Sequence, residues 1–92
     1  MTDLTQSELK MLGEMAQLYH TNTGKPPMTI KEIADHWYET YPLGPGIQLV
    51  DGEPELVDKR HIRECIWLRE LEKGPDAPAL LTQALASVNE LD

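Results

Sequence analysis

Apolar residues recur at helical spacing in four stretches of the chain, and the breaks between them carry turn-forming residues. After Thr5-Gln6-Ser7-Glu8, a hydroxyl residue with glutamate three positions on, Leu9, Leu12, Met15, Ala16 and Tyr19 share one face. Lys10, Glu14 and Gln17 fall on the other. This predicts a first helix over about residues 6–20, ended by TNTGKPP, where glycine and proline stop helical hydrogen bonding. Thr29-Ile30-Lys31-Glu32 repeats the capping pattern, and Ile30, Ile33, Ala34, Trp37 and Tyr41 form a tighter stripe. A second helix is predicted over 30–39, because Pro42 biases Tyr41 away from helix.

Residues 58–73 form the third predicted helix, with Asp58 as N-cap and Gly74-Pro75 as the stop. The fourth is predicted over 78–90, with Leu81, Ala84, Leu85, Val88 and Leu91 along one side. Between helices two and three, residues 42–57 hold two short apolar-containing runs around Asp51-Gly52, a dipeptide suited to a tight hairpin turn. Pro54 confines the second run to an edge position. A short hairpin and a plain loop both fit. The expected architecture is mainly α: one domain over 1–92, four helices, and an optional short β-hairpin in the 42–57 insertion.

Ninety-two residues suffice for one small domain and leave little stability to spare. There is no Phe, so Trp37, Trp67, the tyrosines and the methionines must supply the bulky packing. A lone cysteine, Cys65, forms no internal disulfide and fits a reducing compartment. The N-terminus lacks a signal-like apolar run, and ALLTQALA is too short to span a bilayer. The expectation is a cytoplasmic domain with no membrane contact.

Charge sharpens the reading of helix three. The formal net charge is −8, which opposes non-specific binding to a polyanion. Only residues 58–73 are net positive, with five Lys/Arg against four Asp/Glu. In that helix His61, Ile62, Cys65, Ile66, Leu68 and Leu71 are assigned to the apolar arc, and Lys59, Arg60, Arg63, Trp67 and Glu70 to the opposite side. Trp67 is then an exposed aromatic among cations. That combination suits phosphate contact with stacking on nucleic acid, and it equally suits a protein interface, where Trp and Arg are common anchors. The plainer alternative packs Trp67 under the hairpin or the last helix and leaves the cations solvated.

The order LTQSELKML, TGKPPMTIKEIADHW and RHIRECIWLRELEKG resembles the winged helix-turn-helix domains of bacterial regulators, most closely the LexA repressor N-terminal domain. The resemblance covers roughly two-thirds of the chain. It implies a winged-helix-like helix-turn-helix fold and a small DNA-binding transcriptional regulator whose third helix enters the major groove of duplex DNA. Lys59, Arg60, Arg63 and Trp67 would be the contacts, with Arg63 reading guanine and Lys59 holding phosphate. The link between helices two and three is longer than a helix-turn-helix turn, and a helical pattern occupies the place of the wing after Gly74.

Those features keep a second function open: an acidic protein-interaction module, or a phage-type inhibitor, on a winged-helix scaffold that does not bind DNA. Asp51, Glu53 and Glu55 would form its acidic partner-binding surface, and mimicry of DNA belongs to this reading. The apolar side of helix four (Leu81, Leu85, Val88) serves either to cover the core or to form a homodimer. His61/Cys65 and Glu32/His36 stand four residues apart, a spacing that suits two metal ligands, but neither pair has further ligands in a recognised pattern. No nucleophile–base motif or phosphate-binding loop is present. No metal, cofactor or enzymatic activity is expected.

Overall fold

The computed structural model describes residues 4–89. Its elements run in the order α1 (Gln6–Thr23), α2 (Ile30–Glu39), β1 (Ile47–Val50), β2 (Glu53–Leu56), α3 (Lys59–Lys73) and α4 (Ala77–Asn89). The chain is mainly helical, with one two-stranded antiparallel sheet. That sheet lies between α2 and α3, and α4 follows α3 where the resemblance places a wing. Position 90 and Leu91, expected to continue α4, lie outside the described residues.

The caps explain the helix bounds. Thr5 accepts the Glu8 N–H at 3.1 Å while the Glu8 carboxylate accepts the Thr5 N–H at 3.0 Å, so both halves of the capping box are made. α1 runs three residues past the expected His20, and the Thr23 hydroxyl donates back to the Tyr19 carbonyl at 2.7 Å. At α2 the box is half made. Thr29 accepts the Glu32 N–H at 3.2 Å, but Glu32 turns its carboxylate to the Met28 N–H (3.3 Å) and to the Tyr19 hydroxyl (2.7 Å). The side chain expected to close a local cap thus ties α2 to α1.

Leu12, Ile33 and Leu68 are fully buried at the centre, and Leu80, Leu81 and Ala84 of α4 complete the core. α4 packs closely on α1 because Gly13 has no side chain. A Cβ there would overlap Val88 Cγ2 and stand 2.7 Å from the Ala84 carbonyl oxygen. Leu81 and Val88 are therefore buried inside this chain, and Leu85 is half-buried against the same core. Of the two readings of α4, this burial fits the first: these side chains cover the protein's own core.

The 42–57 insertion holds the β1–β2 hairpin. Asp51 and Gly52 have φ of 54° and 85°, the positive pair of a type I′ turn, whose twist matches the flanking strands. Ile47 pairs with Leu56, Gln48 with Glu55, Leu49 with Pro54 and Val50 with Glu53. The Val57 N–H donates to the Gly46 carbonyl at 2.8 Å, so alternation along the ladder places Leu49 and Pro54 at a non-hydrogen-bonded position. Pro54, which has no N–H to give, leaves no gap in the ladder there.

Candidate interaction surface on the third helix

The surface starts from one buried histidine. His61, 2% exposed, lies one turn into α3 and reaches back to the end of α2 and to the hairpin base. Gly46 N–H, which can only donate, points at Nδ1 at 3.0 Å. The ring proton therefore sits on Nε2, which lies 2.7 Å from the Trp37 carbonyl and 2.9 Å from the Thr40 hydroxyl. Gly46 has φ of 72°, and a Cβ on it would run into the Asp58 carbonyl, so this position takes only glycine. Its carbonyl also accepts the Val57 and Asp58 N–H groups, at 2.8 and 3.1 Å. Gly46 is thus a closed neck from which the hairpin emerges and returns.

Asp58 sits on the other side of that neck. Its Oδ1 accepts the His61 N–H at 3.0 Å as the α3 N-cap, and its Oδ2 accepts the Tyr41 hydroxyl at 2.9 Å. The bond from the His61 backbone, then that from Tyr41, holds the Asp58 carboxyl below its ordinary value. The same bond to Asp58 raises Tyr41.

His61 and Cys65 do come together, with Sγ 3.7 Å from Nδ1. Both ring nitrogens already have partners, and burial pushes the thiol above its ordinary value. The pair is therefore a packed histidine and a protonated thiol at neutral pH. Glu32 and His36 part company: Glu32 bonds Tyr19, and His36 Nε2 lies 3.1 Å from the Asn22 amide nitrogen. No three His, Cys, Asp or Glu converge among the described residues.

The expected contact residues separate onto different faces. Lys59 and Arg63 are exposed on the outward ridge of α3, in line with Ile66, Glu70 and Lys73, and neither makes an ion pair among the described residues. Arg60 lies about 60–100° away from them, 3.5 Å from Glu64, at the rim of a cleft with Met11, Glu14 and Trp37. Trp67 is half-buried and packs against the core, while Ile66 is 55% exposed. The expectation for these two neighbours is reversed. At 100° per residue Ile66 stands about 160° from Leu68, and Trp67 only about 40° from Leu71, so the buried arc takes the tryptophan.

Ile66 borders a groove of about 350 Å³ that the sequence did not indicate. Tyr38 and Pro45 form one side, Ile62 and Cys65 the floor, and Ile66, Glu70 and Lys73 the α3 side. Arg69 also lines it, 2.7 Å from Asp35 and 3.1 Å from Glu72, and so fastens α3 to α2. Lys31 and then Arg69 hold the Asp35 carboxyl below its ordinary value. Tyr38 is exposed, as is Leu43 in the adjoining link.

The hairpin projects beside this groove and is nearly all exposed. Strand alternation puts Ile47, Leu49, Pro54 and Leu56 on one face and Gln48, Val50, Glu53 and Glu55 on the other, with Asp51 in the turn. Leu49 is 62% exposed and Leu56 49%. The three expected acidic residues therefore share the hairpin, and an open apolar face stands in front of them.

No helix among the described residues is long and apolar enough to cross a membrane. No protein-family model matches this chain, and no curated protein or solved structure matches it either.

Proposed function

We propose that this protein is a protein-interaction module whose docking surface is the α2–α3 groove and the outward ridge of α3. The observation that carries this reading is the open apolar groove of Tyr38, Pro45, Ile62 and Ile66. Apolar side chains in a concave site, ringed by charged ones, match the anatomy of a protein interface better than that of a phosphate-binding face. The hairpin next to it carries three acids and no base, which would repel a DNA backbone.

A second reading, DNA binding, is favoured by one observation: Lys59, Arg63 and Lys73 lie on one ridge of α3 without ion-pair partners among the described residues. The two readings separate in a paired experiment. A photo-crosslinking amino acid in place of Ile66, compared with one in place of the exposed Gln83 on α4, is expected to give a discrete protein adduct only at Ile66. Duplex DNA titrated at about 50 and 200 mM salt is expected to give no binding. Salt-sensitive DNA binding that disappears in Arg63→Glu, with no adduct at Ile66, would overturn the interaction reading in favour of DNA.

A further inference from the structure

Two uncovered surfaces on this chain carry opposite charge. The hairpin presents Leu49 and Leu56 and bears Asp51, Glu53 and Glu55 with no base. The α3 ridge presents Ile66 beside the groove and bears Lys59, Arg63 and Lys73 against the single acid Glu70. The hairpin's own groove does not cover its apolar face, since Leu49 and Leu56 remain about half exposed or more. An isolated two-stranded ribbon is marginal in water, so an apolar face held open on one is suited to a covering partner.

We infer that this partner is a second copy of the chain, with each hairpin seated on the α2–α3 groove of the other. The inference rests on the interaction reading above and names its occupant. A two-fold arrangement uses both surfaces on both copies, leaving no open end for further assembly. The ribbon is one layer thick, so Glu53 and Glu55 on its back still set the sign of the field in front, within about one Debye length of 8 Å at 0.15 M salt. The cations of the opposing ridge answer that field, and the remote acids that make each copy −8 are screened at the same salt.

Edge-to-edge strand pairing is a poorer route. The Ile47 N–H on the free edge of β1 is already taken by the Gly44 carbonyl at 3.1 Å, and Pro54 occupies the free edge of β2. The edge of β1 keeps the outward Leu49 N–H, so the apolar face, open along both strands, is the larger uncovered surface of the hairpin. A standard interface of about 800 Å² per partner would take roughly an eighth of the 6192 Å² surface.

The test is sedimentation of the whole chain at about 0.15 M salt over a concentration series up to roughly 200 µM. The expected result is a monomer–dimer equilibrium with half-dissociation at about 1–100 µM. Replacing residues 47–57 with two glycines, which the closed neck permits without opening the helices, is expected to leave a folded monomer. A second pair of variants tests the seating itself. Glu53→Lys with Glu55→Lys puts cations on both surfaces, and Lys59→Glu with Arg63→Glu puts acids on both. Each alone is expected to dimerise at least about tenfold more weakly, and the two mixed are expected to recover a heterodimer. A monomer throughout the series overturns the inference; if the Ile66 crosslinker then captures a different protein, the interaction reading stands without it. A dimer that survives hairpin removal, or a mixture no tighter than its parts, also overturns it.

Discussion

Leu68 and Leu49 are the same side chain in two regions built on different terms. Leu68 is 0% exposed in the helical body, where four helices bury one another's stripes; Leu49 is 62% exposed on a ribbon fastened to that body at the Gly46 neck. The body holds itself together by burial. The ribbon is shaped by its turn and ladder, and by the Gly46–His61 contact at its base, so its sequence is free of the demands of a core. An apolar residue in the first region reports on folding; in the second it reports on contact with something outside the fold.

The most severe break in that contrast is Leu68→Ala, expected to destabilise the monomer by about 2–5 kcal/mol in chemical denaturation. Leu49→Ala is expected to change the same quantity by less than about 0.5 kcal/mol, at a concentration where the chain is monomeric. His61→Ala cuts the link between the regions. It leaves the Gly46 N–H without its acceptor and empties a buried site, while the Trp37 carbonyl keeps the Thr40 N–H and hydroxyl, and a loss of about 2–4 kcal/mol is expected. Amide exchange should show the hairpin base opening first. Gly13→Ala tests the body alone, through the overlap with Val88 and Ala84, with an expected loss of about 1–3 kcal/mol.

The smallest effect concerns acid. Asp58 and Asp35 both titrate below their ordinary value, so the folded state binds their protons less readily than the unfolded chain does. Their contribution is complete above about pH 4, the unfolded carboxylate range, and fades as pH falls through the lowered folded values. Denaturation midpoints from pH 6 to 2 should therefore slope downward, and the slope should flatten in Asp58→Asn. An unchanged slope in that variant would remove Asp58 from the acid response.

The bounds of α2 and α3, their N-cap residues and most of the apolar stripes of α1, α2 and α4 were legible because they depend on residues within a turn or two of one another. Asp51-Gly52 suited a tight hairpin turn for the same reason, though a plain loop fitted that stretch equally. What fastens the base of the insertion was not legible: the Gly46–His61 bond joins residues fifteen apart, and no local pattern announces it. The Ile66–Trp67 reversal had a signal in the helix angle itself: the assigned apolar arc was drawn too broad, since Ile66 stands about 160° from Leu68. The groove needed Tyr38 and Pro45 from other segments, so it became visible only once α2 and α3 were placed side by side. Leu81 and Val88 fitted a core or a partner on sequence; the close approach of α4 to Gly13, on a distant helix, places them in the core.

The neck at Gly46 has a consequence for how this chain tolerates change. With Gly46 and Asp58 already bonded across it, everything between them is a detachable arm on a helical socket. Lengthening a loop whose ends are fixed adds only about 0.6 kcal/mol per doubling. A longer ribbon, or an unrelated epitope, grafted at positions 47–57 is therefore expected to leave the helical socket folded, at the cost of whatever the native hairpin binds.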